Sequence, residues 1–304
     1  GAAKAEAVLV GINWRLAPPE IEYILNDAGC TTVFVGAEYY ALVEEIRARC
    51  PHIATVVAMD GGHAEWPAFD DWRAAQVDRD PGLPTPADDD VIQLYTSGTT
   101  GHPKGVQITN ANYRALFTIA EGSRWGLFDA DTVTLTCMPV FHVAGANMGV
   151  IALGQGSTNV VMKDVDPLRI LEFIPRYGVN HALFVPAVIL VLTQLPQIAS
   201  TDLSTMRKLY YGASPIAEDL LKRAVEIFGC DFFGLYGLTE TTGAGTCLQP
   251  EHHVGGRLRS CGRPYAGIEI KVVDGNGREV APGTVGEILI RHGVVMKGYW
   301  NRPD

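Results

Sequence analysis

The stretch TSGTTGHPKG, residues 96–105, sets hydroxyls at Thr96, Ser97, Thr99 and Thr100 among glycines at 98, 101 and 105, with one ammonium at Lys104. Hydroxyl donors, bare backbone and a mobile positive charge together suit an anion, and three phosphates in a row above all. Two other readings compete. A glycine-rich surface turn has the same composition. The GxxxxGK[ST] phosphate loop fails twice: Pro103, without an N–H, stands where its second glycine belongs, and Gly105 follows Lys104 where a metal-binding hydroxyl is needed. What remains is a different kind of phosphate loop, suited to a triphosphate whose two terminal phosphates leave as pyrophosphate.

Extended to YTSGTTGHPKGV (95–106), the loop resembles the signature of the adenylate-forming superfamily: acyl-CoA synthetases, luciferases and the adenylation domains of peptide synthetases. Such a resemblance requires further family signatures in order along the chain. MPVFHVAG (138–145), YYGASP (210–215), YGLTETTG (236–243) and GEILIRHGVVMKGYW (286–300) resemble them, and AEAVLVGINWRL (5–16) resembles the remainder of an earlier one. The fatty-acyl-CoA branch fits best. Amino-acid-activating relatives hold the substrate amine with an aspartate near 141–147, and FHVAGAN has none.

The resemblance implies roles residue by residue. Thr96, Ser97, Gly98, Thr99, Thr100, Gly101 and Lys104 would hold ATP phosphates. Glu240 would bind Mg²⁺, and Thr239 an α-phosphate oxygen. Tyr236 and Gly237, with the small residues Gly212, Ala213 and Ser214, would receive adenine. His142, Ala146, Asn147, Gly237 and Gly243 would meet the acid. Each residue also has a plainer reading: Glu240 as a solvated loop acid, His142 as a structural histidine, Gly212–Ser214 as a turn at a strand end. Coenzyme A is the implied acceptor of the acyl group, and a medium- or long-chain fatty acid the implied substrate. Aryl or amino acids are the alternatives, as is a nucleotide-binding relative without catalysis. An NAD-dependent oxidoreductase lacks its GxGxxG after an early strand.

These residues need a scaffold. Short apolar runs (TTVFVG, IATVVAM, VIQLYT, HALFVP, MRKLYYG, DFFGLYG) alternate with helix-period segments (AEYYALVEEIRARC, NYRALFTIAEGSRW, DPLRILEFIPRYG, AEDLLKRAVEIFG). A loop rich in Pro, Gly and Asp is expected over 60–90, and a helix after the 97–105 loop. The alternation predicts an α/β architecture over 1–243: layered, largely parallel sheets with flanking helices. A smaller β-rich subdomain is expected over 244–304, with a hairpin around DGNG (274–277).

The bulk composition excludes some classes. A net charge of -10 over 304 residues argues against a nucleic-acid surface. The longest apolar stretch, ALFVPAVILVL, is too short to span a membrane, which leaves room for peripheral contact. Six cysteines without CxxC spacing read as reduced thiols in a cytoplasmic protein, with no zinc. Glu251-His252-His253 lacks HExxH spacing and reads as a polar loop. Against the family pattern, residues 1–304 are expected to be an incomplete N-terminal domain. The ribose-binding aspartate, the hinge and the small C-terminal catalytic domain would lie outside them.

Overall fold

The computed structural model describes residues 1–97, 101–126 and 128–303. The chain forms two compact units, Gly1–Asn110 with Lys297–Asp304, and Ala111–Met296.

The first unit contains β1 (Leu9–Gly11), α1 (Pro18–Asp27), β2 (Thr32–Val35), α2 (Tyr40–Arg47), β3 (Thr55–Ala58), α3 (Phe69–Ala74), β4 (Asp90–Thr96) and β5 (Lys104–Thr109), joined by the chain's last strand, β15 (Gly298–Tyr299). Four strands form one sheet in the order β1-β4-β5-β15, and β2 pairs with β3 in parallel. Helical spacing builds the core under that pair: Ile21 and Leu25 on α1, Val43 and Ile46 on α2, packed with Val35, Val56 and Trp66. The expected 60–90 loop is interrupted by α3. Its FDDWRA run starts with two acids in the first turn, which favour a helix N-terminus.

The second unit follows the alternation closely. Its elements are α4 (Asn110–Glu121), β6 (Val133–Thr136), α5 (Val143–Gly154), β7 (Thr158–Val161), α6 (Pro167–Tyr177), β8 (His181–Phe184), α7 (Pro186–Gln194), β9 (Lys208–Gly212), α8 (Glu218–Phe228), β10 (Asp231–Tyr236), β11 (Thr246–Leu248), β12 (Arg263–Pro264), β13 (Glu269–Val273) and β14 (Glu287–Arg291). A seven-stranded sheet runs β12-β11-β10-β9-β8-β6-β7. From β10 to β7 every pairing is parallel; β11 and β12 are antiparallel. Phe184, Tyr210, Phe232 and Phe233 are fully buried side chains of this sheet. Local signals set the helix ends. The Asp166 carboxylate accepts from the N–H groups of Leu168 and Arg169 (2.9 and 3.2 Å) and Pro167 opens α6; Gly178, at φ 64°, ends it.

Two expectations are corrected. The 97–105 loop does not lead into a helix: β5 begins at Lys104, and β4 and β5 are antiparallel neighbours with Thr96 opposite Lys104. The segment KGVQIT hydrogen-bonds along β4 before α4 starts, so no helix N-terminus serves the loop. The chain also does not divide at 243/244. The region 244–304 is β-rich, but β11 and β12 extend the large sheet and β15 joins the first unit's sheet. Hydrogen bonding to distant strands, not local β-content, assigns these residues. The expected hairpin around DGNG is present but short: Asp274 N–H donates to the Arg278 carbonyl (2.8 Å) and Val280 N–H to the Val272 carbonyl (3.0 Å), while β13 pairs over its whole length with β14.

Candidate active site

In the first unit, Thr96 is half-buried at the end of β4, while Ser97 and Gly101 are exposed. Gly98, Thr99 and Thr100 lie outside the described residues. The roots of the loop are tied to the end of α1. The Tyr95 hydroxyl donates to Asp27 Oδ2 (2.6 Å) and accepts from Gln93 Nε2 (3.0 Å), and Trp300 Nε1 donates to the Asp27 carbonyl (2.7 Å). His102, inside the loop, stacks on Tyr23 of α1 with ring centroids 4.7 Å apart. The Lys104 ammonium lies 5.1 Å from the centre of the Tyr299 ring, a contact worth about 0.5–1 kcal/mol. That is weak enough to give up for a phosphate.

In the second unit, a cavity of about 100 Å³ brings together five of the residues singled out from sequence: Asn147, Gly212, Ala213, Gly237 and Gly243. It lies toward the carboxyl ends of parallel strands, where open α/β sheets take ligands. Gly212 ends β9, and Gly237 follows β10. A Cβ on Gly212 would stand 2.3 Å from the Leu235 carbonyl oxygen, and one on Gly237 the same distance from that of Gly243. Only glycine lets these backbones approach so closely. Ala213 is left-handed at φ 65°, a conformation uncommon outside glycine and frequent at ligand sites.

One side of the cavity is a stripe of α5: Val143, Ala144, Asn147, Met148 and Ile151. Asn147 is buried and both ends of its amide are engaged. Nδ2 donates to the Thr242 carbonyl (2.8 Å), and Oδ1 accepts from the Tyr113 hydroxyl (3.2 Å). It therefore ties α4 and α5 to the turn after β10. His142 is the exposed residue heading α5, its ring 4.6 Å from that of Phe141. His142 and Ala146 are not among the cavity-lining residues, nor are Ser214, Tyr236, Thr239 and Glu240.

Glu240 occupies a short 3₁₀ turn, Thr239–Thr241, beyond the carboxyl end of β10. The turn is held from several sides. Leu238 N–H donates to Thr241 Oγ1 (3.0 Å), Gly243 N–H to the Leu238 carbonyl (2.8 Å), and Met296 N–H to the Glu240 carbonyl (2.8 Å). Thr242 takes a left-handed φ of 50°, and its buried hydroxyl donates to the Val294 carbonyl (2.7 Å). Tyr236 is half-buried on the last position of β10.

Burial pushes the thiols of Cys137, Cys230 and Cys247 up to about 12, so none is a ready thiolate. His253 accepts or donates at both ring nitrogens, to the Tyr211 hydroxyl (3.0 Å) and the Gln249 carbonyl (2.9 Å). Sequence reasoning missed most of the cavity wall: Leu116, Trp125, Leu183, Leu235, Ala244 and Tyr265. They come from separate elements and form no motif; the only available signal was that they are apolar.

With this geometry in place, comparison with known proteins is decisive. The family model for AMP-binding enzymes matches residues 1–300. The chain belongs to the AMP-binding enzyme family. Among its curated relatives, the fatty acid–[acyl-carrier-protein] ligase ScoC of Streptomyces coeruleorubidus is 37% identical over 310 residues, spanning 100% of this chain and 58% of the relative. The long-chain-fatty-acid–CoA ligase FadD13 of Mycobacterium tuberculosis is 32% identical over 317 residues, spanning 100% of this chain and 59% of that protein. The chain thus has the length of a little under three fifths of these AMP-binding enzymes. Among solved structures, the inhibitor-bound N-terminal domain of FACL13 from Mycobacterium tuberculosis superposes with a TM-score of 0.88 at 30% identity, covering 99% of this chain and 74% of that one. The anthranilate CoA ligase AuaEII, solved with anthranoyl-AMP, gives 0.89 at 27% identity over 97% of this chain and 57% of that one. The α/β architecture is therefore that of an AMP-binding N-terminal domain. No helix among its described residues is long and apolar enough to cross a membrane.

Proposed function

We propose that the chain is part of an ATP-dependent acid–thiol ligase that adenylates a fatty or related carboxylic acid and passes the acyl group to a thiol. The observation that carries this reading is the AMP-binding family match over residues 1–300. The acid's carboxylate oxygen attacks the α-phosphorus of ATP. The bond to the β-phosphate bridging oxygen breaks, and pyrophosphate leaves with the electron pair. The thiol sulfur then attacks the acyl carbon, loses its proton and displaces AMP.

Within this reading Thr96, Ser97, Thr99 and Thr100 donate to phosphate oxygens, and Lys104 balances the charge that builds on the departing pyrophosphate. Thr239 donates to an α-phosphate oxygen, and Tyr236 stacks on adenine. The close-packed glycines 212 and 237 leave backbone bare beside the cavity, which suits a flat ring. The described residues contain no cluster of three or more His, Cys, Asp or Glu side chains fit to hold a metal. A single carboxylate suits Mg²⁺ that brings phosphate oxygens and waters of its own. Glu240 would hold that ion, which supplies charge neutralisation at the phosphates. The acid occupies the cavity beside Asn147 and Gly243, with His142 and Ala146 on the same helix.

Coenzyme A is one acceptor thiol; the ligase ScoC favours a second, the thiol of an acyl carrier protein. A cytoplasmic location belongs to the same proposal, supported by six free cysteines. The test is ATP–pyrophosphate exchange on the full-length protein with aliphatic, aromatic and amino acids, followed by transfer to either thiol. Acid-dependent exchange is expected. Exchange only with amino acids would move the protein to another branch, and a folded, ATP-binding protein inert with every acid would support a non-catalytic relative.

A further inference from the structure

Residues 123–126, SRWG, form a turn directly after α4 that is fastened at almost every group. Ser123 Oγ donates back to the Ile119 carbonyl, and Gly126 N–H to the Ser123 carbonyl (3.2 Å). The Arg124 carbonyl accepts from Lys208 Nζ (2.8 Å), that of Trp125 from the Tyr210 hydroxyl, and that of Gly126 from Gln155 Nε2 (3.0 Å). The Arg124 guanidinium pairs with Asp231 (2.7 Å) and reaches Glu251 (3.4 Å). A Cβ on Gly126 would stand 2.5 Å from Ala120 Cα, so only glycine lets the turn sit so close to α4.

This fastening fixes Trp125. Its side chain is 5% exposed, its ring is 5.2 Å from that of Tyr265, and both rings line the cavity. The anchors also say which end it closes. Lys208 and Asp231 start β9 and β10, whereas Gly212 and Gly237 stand at the carboxyl ends of those strands. Gly212 lies four residue steps beyond Lys208, about 13 Å, and Tyr210, which holds the Trp125 carbonyl, lies between them. Trp125 thus lies at the inner end of the cavity and the glycines at the outer one. The bonds hold the backbone of the turn, and burial against Tyr265 holds the ring.

The cavity opens on one side and has a volume of about 100 Å³, with an apolar lining that includes Leu116, Met148, Ile151 and Leu183. A dry apolar cavity of about 150 Å³ accepts benzene. We infer that the acid activated here is compact and apolar, no larger than a single aromatic ring or an aliphatic chain of about six carbons, and that Trp125 sets this limit. The inference rests on the adenylation reading and narrows its substrate to the short end, away from the medium- or long-chain acid expected from the resemblance.

The experiment is ATP–pyrophosphate exchange on the full-length protein with hexanoate, benzoate, dodecanoate and palmitate, for wild type, Trp125→Ala and Trp125→Phe. Wild type is expected to use hexanoate or benzoate with a kcat/KM at least about tenfold above dodecanoate. Trp125→Ala should raise dodecanoate relative to hexanoate by about tenfold or more, with KM for ATP unmoved. Trp125→Phe, which keeps most of the ring packing, should shift the profile part-way and decides the matter if the alanine variant does not fold. Hexanoate and benzoate arms distinguish an aliphatic from an aromatic acid. Wild-type use of dodecanoate or palmitate equal to hexanoate would overturn the inference while leaving adenylation intact. An unchanged chain-length profile in a folded variant would remove Trp125 from the role. Silence with every acid would overturn the adenylation reading, and the inference with it.

Discussion

Asn147 shows how a residue can sit in a ligand cavity without being free to serve the ligand. Its amide bridges the Tyr113 hydroxyl and the Thr242 carbonyl, both inside the protein. Asn147→Ala would leave a buried hydroxyl and a buried carbonyl without partners, a cost of about 1–3 kcal/mol. The expected outcome is a lower unfolding temperature of the full-length protein, with substrate KM changed less than stability. His181 makes a second residue-scale prediction. It is buried, and desolvation, helped by the nearby charges of Lys208 and Arg207 against the opposing charge of Asp129, pushes its pKa down to about 3. Its Nε2 has no hydrogen-bond partner among the described residues. In the unfolded chain it protonates near its ordinary value of 6.5. Between the two values the unfolded state binds a proton that the native state does not, so stability is fully present above 6.5 and falls as pH drops toward 3. The slope approaches about 1.4 kcal/mol per pH unit. Unfolding temperatures of wild type and His181→Leu measured from pH 7.5 to 4.5 should converge toward acid; parallel curves would count against the assignment.

At the scale of elements, the β4–β5 hairpin matters most. It sets Thr96 opposite Lys104 and so holds the two ends of the proposed phosphate loop together. Its roots are fixed by the Gln93–Tyr95–Asp27 chain and the stacking of His102 on Tyr23. The Lys104 ammonium is the loop's mobile positive charge. Lys104→Ala is expected to lower kcat for pyrophosphate exchange about 10²–10³-fold. The unfolding temperature should change little, since the ammonium's attraction to the Tyr299 ring is weak. Full exchange activity in that variant would contradict the proposed mechanism. The glycines and the lysine of this loop were legible from their types and spacing. The strand after it was not, because KGVQIT shows its identity only through pairing with β4.

At the scale of the whole molecule, the chain's division is not sequential. Residues 111–296 form one unit, inserted between the two segments of the other. The unit contains all seven strands of the large sheet and every residue that lines the cavity beside Asn147. A polypeptide of residues 111–296 is therefore expected to fold by itself and unfold cooperatively. Circular dichroism during thermal unfolding would check this; a broad, non-cooperative melt would show that the unit depends on the rest of the chain.

The sequence by itself determined the α/β alternation, the helix ends and the motifs that carry the family resemblance. These depend on neighbours a few positions apart: the apolar period, an Asp-Pro start and a glycine stop as in α6, and the runs TSGTTGHPKG and YGLTETTG. The tertiary structure alone decided which strands pair, where the units divide and how large the cavity is. Strand β15 joins β5 across nearly two hundred residues, against the expectation that 244–304 would stand apart. Trp125, Met148, Leu183 and Tyr265 meet only because the sheet is ordered as it is. Hydrogen bonding between distant strands and packing around a shared void are non-local, so no local pattern in the chain encodes them in readable form.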